Sequence, residues 1–107
     1  MPESEDKFLS DRCTMEYRCE GEGEWQKVDA SVAIRGNEIN ITYFDDERFE
    51  YEVVKREGNR FDVKMTRPSH RNGNGHLTWD KDEKYFLHGY CSETGENWEW
   101  RFFEKPE

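Results

Sequence analysis

Along most of the chain, apolar and polar residues alternate with a period of two, the pattern that sends successive side chains to opposite faces of a β-strand. The apolar sets are Cys13, Met15, Tyr17 and Cys19; Val28, Ala30, Val32 and Ile34; Ile39, Ile41 and Tyr43; Phe49, Tyr51 and Val53; Phe61, Val63 and Met65; Leu77 and Trp79; and Trp98, Trp100 and Phe102. Before the last set lies YFLHGYC, residues 85–91, in which either parity gives a plausible inner face. Clusters of Gly, Asn and Asp separate the sets, as turns do in an all-β domain.

Directly opposed residues of an antiparallel pair share a face, so each turn tests whether neighbouring sets are compatible. A two-residue turn at Gly36-Asn37 opposes Ile34 to Ile39, Val32 to Ile41 and Ala30 to Tyr43. A three-residue loop at Asp45 to Glu47 opposes Tyr43 to Phe49, and another at Glu57 to Asn59 opposes Val53 to Val63 and Tyr51 to Met65. In SETGE, residues 92–96, a three-residue hairpin loop closed by a left-handed glycine opposes Tyr90 to Trp98, His88 to Trp100 and Phe86 to Phe102. A four-residue loop at Lys81 to Lys84 then opposes Trp79 to Phe86 and Leu77 to His88, which turns His88 inward.

The expected fold is all-β, a single small domain built as an antiparallel meander of about eight strands. Closure into an up-and-down β-barrel by the first and last strands is preferred, because an open meander leaves two bare edges. A two-sheet β-sandwich is the alternative. Residues 1–9 read as a flexible tail whose Phe8 and Leu9 plug one end, and residues 10–107 as the barrel domain.

Composition alters this picture in one respect. With 33% hydrophobic residues among 107, a net charge of -9 and a mean hydropathy of -1.24, the chain approaches those too polar to bury a core. Aromatics, 15% of the residues, compensate, since each buries roughly 150 to 250 Å². The expectation is an aromatic core under a charged skin. Acidity disfavours nucleic acid, which binds through Lys and Arg. The start MPESEDKF lacks the basic and apolar segments of a secretory leader, and no apolar run is long enough to cross a bilayer. No membrane partner and a cytoplasmic address are therefore expected.

Loops of a meander alternate between its two ends. One end collects EGEGE (residues 20–24), DDE (45–47), SETGE (92–96) and RPSHRNGNGH (67–76). Arg67, His70, Arg71 and His76 in the last stretch are read as a movable lid at the mouth, the first three as counter-charges to a carboxylate rim, with Gly73 and Gly75 freeing its tip. Inside, Trp79, Phe86, Tyr90, Trp98, Trp100 and Phe102 form the expected wall of a ligand pocket, with His88 as its polar anchor.

Other chemistry is sparse. Cys13 and Cys19 lie roughly 20 Å apart on one extended strand, beyond disulfide reach, and both are expected inward while Cys91 points outward. Three unpaired thiols suit a reducing compartment. His70 and His76 fit no compact metal-ligand spacing, so no metal is expected, and no cofactor or catalytic motif is present. Gly23-Glu24-Trp25 resembles the Gly-x-Trp motif near the first strand of lipocalins; the chain is short for that family and a strand, rather than a short helix, leads into the motif, so membership is not assigned. The expected function is a non-enzymatic binding barrel for a small, partly apolar or aromatic ligand. The alternative is an acidic protein-interaction module, of inhibitor or immunity type, for a basic partner.

Overall fold

The computed structural model describes residues 7–105 except 22, 81 and 94. Eight antiparallel strands follow in chain order: β1 (Lys7–Cys19), β2 (Gln26–Arg35), β3 (Glu38–Asp45), β4 (Glu47–Glu57), β5 (Arg60–Arg67), β6 (Gly73–Trp79), β7 (Leu87–Glu93) and β8 (Glu96–Glu104). Each pairs with its sequence neighbour, and β1 pairs with β8 from Cys13 opposite Glu104 to Cys19 opposite Trp98, so the meander closes into a barrel. Among the described residues there is no helix, and so none long and apolar enough to cross a membrane. The expected up-and-down barrel is the fold observed, and the alternative, a two-sheet sandwich, is excluded.

Most registers follow from turn chemistry. Ile34 opposes Ile39, Val32 opposes Ile41 and Ala30 opposes Tyr43 across a turn whose Gly36 has a φ of 59°, a conformation glycine adopts without steric cost. Tyr43 opposes Phe49 as well, with Asp46 at the tip of that turn in the left-handed region, φ 72°. The β4–β5 hairpin reaches the expected pairing by another route. Glu57 pairs with Arg60, a tighter turn than the three-residue loop expected, and an irregularity between Val53 and Lys55 restores Val53 opposite Val63 and Tyr51 opposite Met65.

The β7 register corrects the sequence reading. Glu93 pairs with Glu96, so Cys91 opposes Trp98, Gly89 opposes Trp100 and Leu87 opposes Phe102. A slip of one residue exchanges the faces of a whole strand. Leu87, Gly89 and Cys91 therefore face inward, while His88 and Tyr90 face outward, opposite to expectation. Phe86 is buried as expected, but it precedes the strand and packs its ring 4.7 Å from Phe8. Cys91 is buried instead of exposed, and Cys19, at the rim where β1 outruns the core, is exposed instead of buried.

Residues 7–9 belong to β1 and so are not tail; residues 1–6 lie outside those described. Phe8 does close one end, with its ring 6.2 Å from Trp79, whereas Leu9 points to solvent. The core is a column of rings and aliphatics. Tyr43 stacks on Phe49 at 4.9 Å, Trp100 meets Tyr51 edge-on at 4.9 Å, and Phe102 lies 6.0 Å from Trp100. An eight-stranded barrel is just wide enough to be filled this way.

Candidate functional site

The turns β1–β2, β3–β4, β5–β6 and β7–β8 share one end of the barrel, which gathers Glu20, Glu24, Asp45, Asp46, Glu47, Glu93 and Glu96 at an acidic pole. Arg71, on the turn after β5, reaches over this pole. Its guanidinium nitrogens lie 3.9 Å from Glu47 Oε2 and 3.9 Å from Glu93 Oε2, and its Cζ lies 5.5 Å from the ring centre of Phe49. Both ion-pair distances exceed a direct hydrogen bond, so Arg71 is attracted there without being clamped.

Glu93 is the deepest carboxylate of this group. Burial raises its pKa above the ordinary carboxylate range; Arg71 opposes the rise and Asp45 adds to it. Tyr17 closes another side of the pole by donating its hydroxyl to Asp45 Oδ2 at 3.2 Å. Below these groups, the Tyr51 hydroxyl and the Cys91 thiol lie 3.4 Å apart in the core. Burial pushes the Cys91 and Cys13 thiols up to about 12 each, and raises the Tyr51 and Tyr43 phenols still further from their ordinary value. Burial thus favours the neutral form of each of these groups near neutral pH.

Beside the pole, Arg48 and Arg67 converge on Glu50, at 2.6 and 3.6 Å. They line a cavity of about 580 Å³ with Glu47, Thr66, Pro68, Ser69 and His70. Of the residues assigned to the lid, Arg67 lies within ion-pair distance of Glu50, and Arg71 of Glu47 and Glu93. Among the described residues no carboxylate lies within ion-pair distance of His70, which is exposed in the turn. The expected long lid is itself corrected. Strand β6 starts at Gly73, so His76 is an outward strand residue beside Tyr90, and the turn is confined to residues 68–72. Gly73 and Gly75 serve packing, not motion: a β-carbon on Gly73 would lie 2.7 Å from the Tyr51 hydroxyl, and one on Gly75 would lie 2.9 Å from the Tyr90 carbonyl.

The expected pocket wall is dispersed along the barrel. Trp79 and Phe86 pack with Phe8 at the end opposite the pole, Trp100 sits among Tyr43, Tyr51 and Phe102, and Trp98 lies half-buried 5.9 Å from Tyr17. His88 stands on the outer face, its side chain 45% exposed and 3.5 Å from Asp80. It cannot anchor anything in the interior.

One outer-face cluster escapes a reading based on hydrophobic parity. Glu16, 5% exposed, accepts a hydrogen bond from Arg101 Nε at 2.5 Å. The Arg101 guanidinium lies 3.8 Å from the ring centre of Trp25 and 4.4 Å from that of Tyr85, so loops from opposite ends of the barrel meet on one side chain. Arg18 adds a second cation at 4.4 Å from Trp25 and donates to Glu99 at 2.6 Å; this donor and the Gly21 amide hold the Glu99 carboxyl below its ordinary range. The signal was the one-on, one-off spacing of Glu16, Arg18, Glu99 and Arg101 on the polar faces of paired strands.

No group of three or more His, Cys, Asp or Glu side chains among the described residues is arranged to hold a metal ion. The chain matches no protein-family model, no curated protein and no solved structure in comparisons with each.

Proposed function

We propose that this barrel is a non-catalytic binding module that receives a cationic protein partner at its acidic pole. The observation that carries the reading is the placement of Arg71 between Glu47 and Glu93 above Phe49. The pole already attracts one guanidinium of its own chain, through carboxylates and an aromatic face that suit arginine. Carboxylates of the β1–β2, β3–β4 and β7–β8 turns gather at this end of the barrel, so a basic surface gains long-range attraction as it approaches. A small, partly apolar ligand inside the barrel is the weaker reading, because rings in mutual contact occupy the positions that were to line its pocket. Three unpaired thiols support a reducing, cytoplasmic setting.

Calorimetric titration with an arginine-rich peptide tests the proposal. Binding is expected at low salt, to weaken steeply as salt rises, and to fall in the Glu47→Gln and Asp45→Asn variants. Glu52→Gln, on the wall away from the pole, is the control and leaves affinity unchanged. Absence of binding, or equal loss in the control, overturns the reading.

A further inference from the structure

The outer wall carries a second feature that does not depend on the acidic pole. Across β5, β6 and β7, Asp62 pairs with His76 and His76 with Tyr90, forming one outward ladder. Two residues further along, roughly 7 Å away by strand rise, Asn74 pairs with Ser92 and Ser92 with Asn97. Between the ladders runs the row Val63, Gly75 and Cys91, whose side chains are absent or turned inward, so backbone forms the floor. The result is a trough of about 440 Å³, completed by Arg60 and Val54. That volume falls within the range of small-ligand sites.

Its chemistry differs from that of the other concave surfaces. In the groove around Arg101 the charged groups satisfy one another, Glu16 with Arg101 and Arg18 with Glu99. In the cavity beside the pole, Arg48 and Arg67 both serve Glu50. In the trough, by contrast, the side-chain polar atoms of Asn74, His76, Ser92 and Asn97 have no hydrogen-bond partner among the described residues. Two carboxamides, a hydroxyl and an imidazole supply donors and acceptors in close alternation. Tyr90 adds an aromatic surface, 42% exposed, with the His76 ring 6.1 Å from it.

Charge narrows the ligand further. The charged lining residues, Arg60 and Asp62, lie 3.4 Å apart and cancel. An ionic ligand therefore finds no net counter-charge, and a wholly apolar one would strand four polar side chains without water. What remains is a neutral molecule with many hydroxyls and a C–H face. Such a molecule exchanges hydrogen bonds with the amides while its C–H groups pack on the tyrosine ring. The geometry points to a carbohydrate site: the trough takes pyranose units of a neutral glycan, with Tyr90 as the stacking surface and Asn74 and Asn97 as the hydroxyl readers.

The test is an amide NMR titration of the full chain with neutral hexasaccharides of glucose, mannose, galactose and xylose at millimolar concentration. At least one is expected to shift amides of residues 74–76 and 90–92 and of Asn97, leaving those of the pole in place. Tyr90→Ala, a change at an exposed position, should weaken that binding about tenfold or more, and Asn74→Ala should weaken it independently. Absence of shifts with all four sugars, shifts elsewhere, or full affinity in Tyr90→Ala each overturns the proposal. Arginine-peptide binding at the pole serves as the separate readout, since Tyr90→Ala leaves it unchanged whichever way the sugar result falls.

Discussion

The carbonyl oxygen of His76 lies 2.1 Å from the position a β-carbon would occupy on Gly89, and the Leu77 Cα lies 2.9 Å from it. Strands β6 and β7 approach so closely there that the smallest side chain has no room. Both obstructing atoms are backbone, so rotamer adjustment cannot relieve the clash. Gly89→Ala is therefore expected to cost on the order of 3 kcal/mol or more, read as a lower urea midpoint or loss of the folded spectrum.

Removing Arg101 exposes a different dependence. Among the described residues Glu16 has one close partner, and Lys27 at 3.8 Å is too exposed to replace it. Arg101→Met should destabilise the barrel by roughly 2 to 3 kcal/mol, below the full cost of orphaning a buried charge because the guanidinium is partly solvated. The double variant Glu16→Met/Arg101→Met should recover at least half of the loss, as measured by chemical denaturation.

Thiol reactivity should divide by position. Cys19 is exposed, whereas Cys13 and Cys91 are buried with thiols pushed up to about 12. A disulfide reagent at neutral pH is expected to label Cys19 within seconds to minutes and the other two only with unfolding. Peptide mapping after a short pulse distinguishes them.

Two carboxylates give stability opposite pH dependences. Glu93 binds its proton more tightly folded than unfolded, so its contribution falls as pH rises from the ordinary carboxylate range to its raised value. Glu99 binds its proton less tightly folded, so its contribution is present above the ordinary range and is lost as pH falls through its lowered value. Glu93→Gln should thus gain stability relative to the parent as pH rises, and Glu99→Gln should lose it. Denaturation midpoints from pH 3 to pH 7 test both signs.

His88→Ala should change stability by no more than about 0.5 kcal/mol, since the imidazole stands on the outer wall in a solvated pair. The result expected of an inward anchor would be several times larger.

How far the chain discloses its own fold depends on how its turns are determined. At Gly36-Asn37 the turn length and the alternation of Val32, Ile34, Ile39 and Ile41 agree on one register, and the closed meander follows. In YFLHGYC the two parities compete on local grounds. One offers Phe86, His88 and Tyr90 to the core, and the other Leu87, Gly89 and Cys91. Bulk favours the first, but the close passage of β6 at position 89 demands the second, and that constraint comes from a neighbouring strand. The acidic pole was legible because loops of a meander must alternate between ends. The pairing of Arg71 with Glu47 and Glu93 was legible only as charge, since the shortness of the turn depends on Gly73 tucking beneath the Tyr51 hydroxyl. The Glu16–Arg101 cluster was hidden, because hydrophobic alternation marks a polar face as solvent even where two loops cover it.

The irregularity at Val54 gives the β4–β5 ribbon slack. A residue gained or lost at the tip of that ribbon can be taken up there, and Tyr51, Val53 and Val63 keep their orientation. Among its described residues the β7–β8 ribbon runs without a break from Glu93–Glu96 to Leu87–Phe102 and has no irregularity to absorb an insertion. Descendants of this chain should thus drift in length at one hairpin tip and stay fixed at the other, where a single added codon would turn a wall of the barrel inside out.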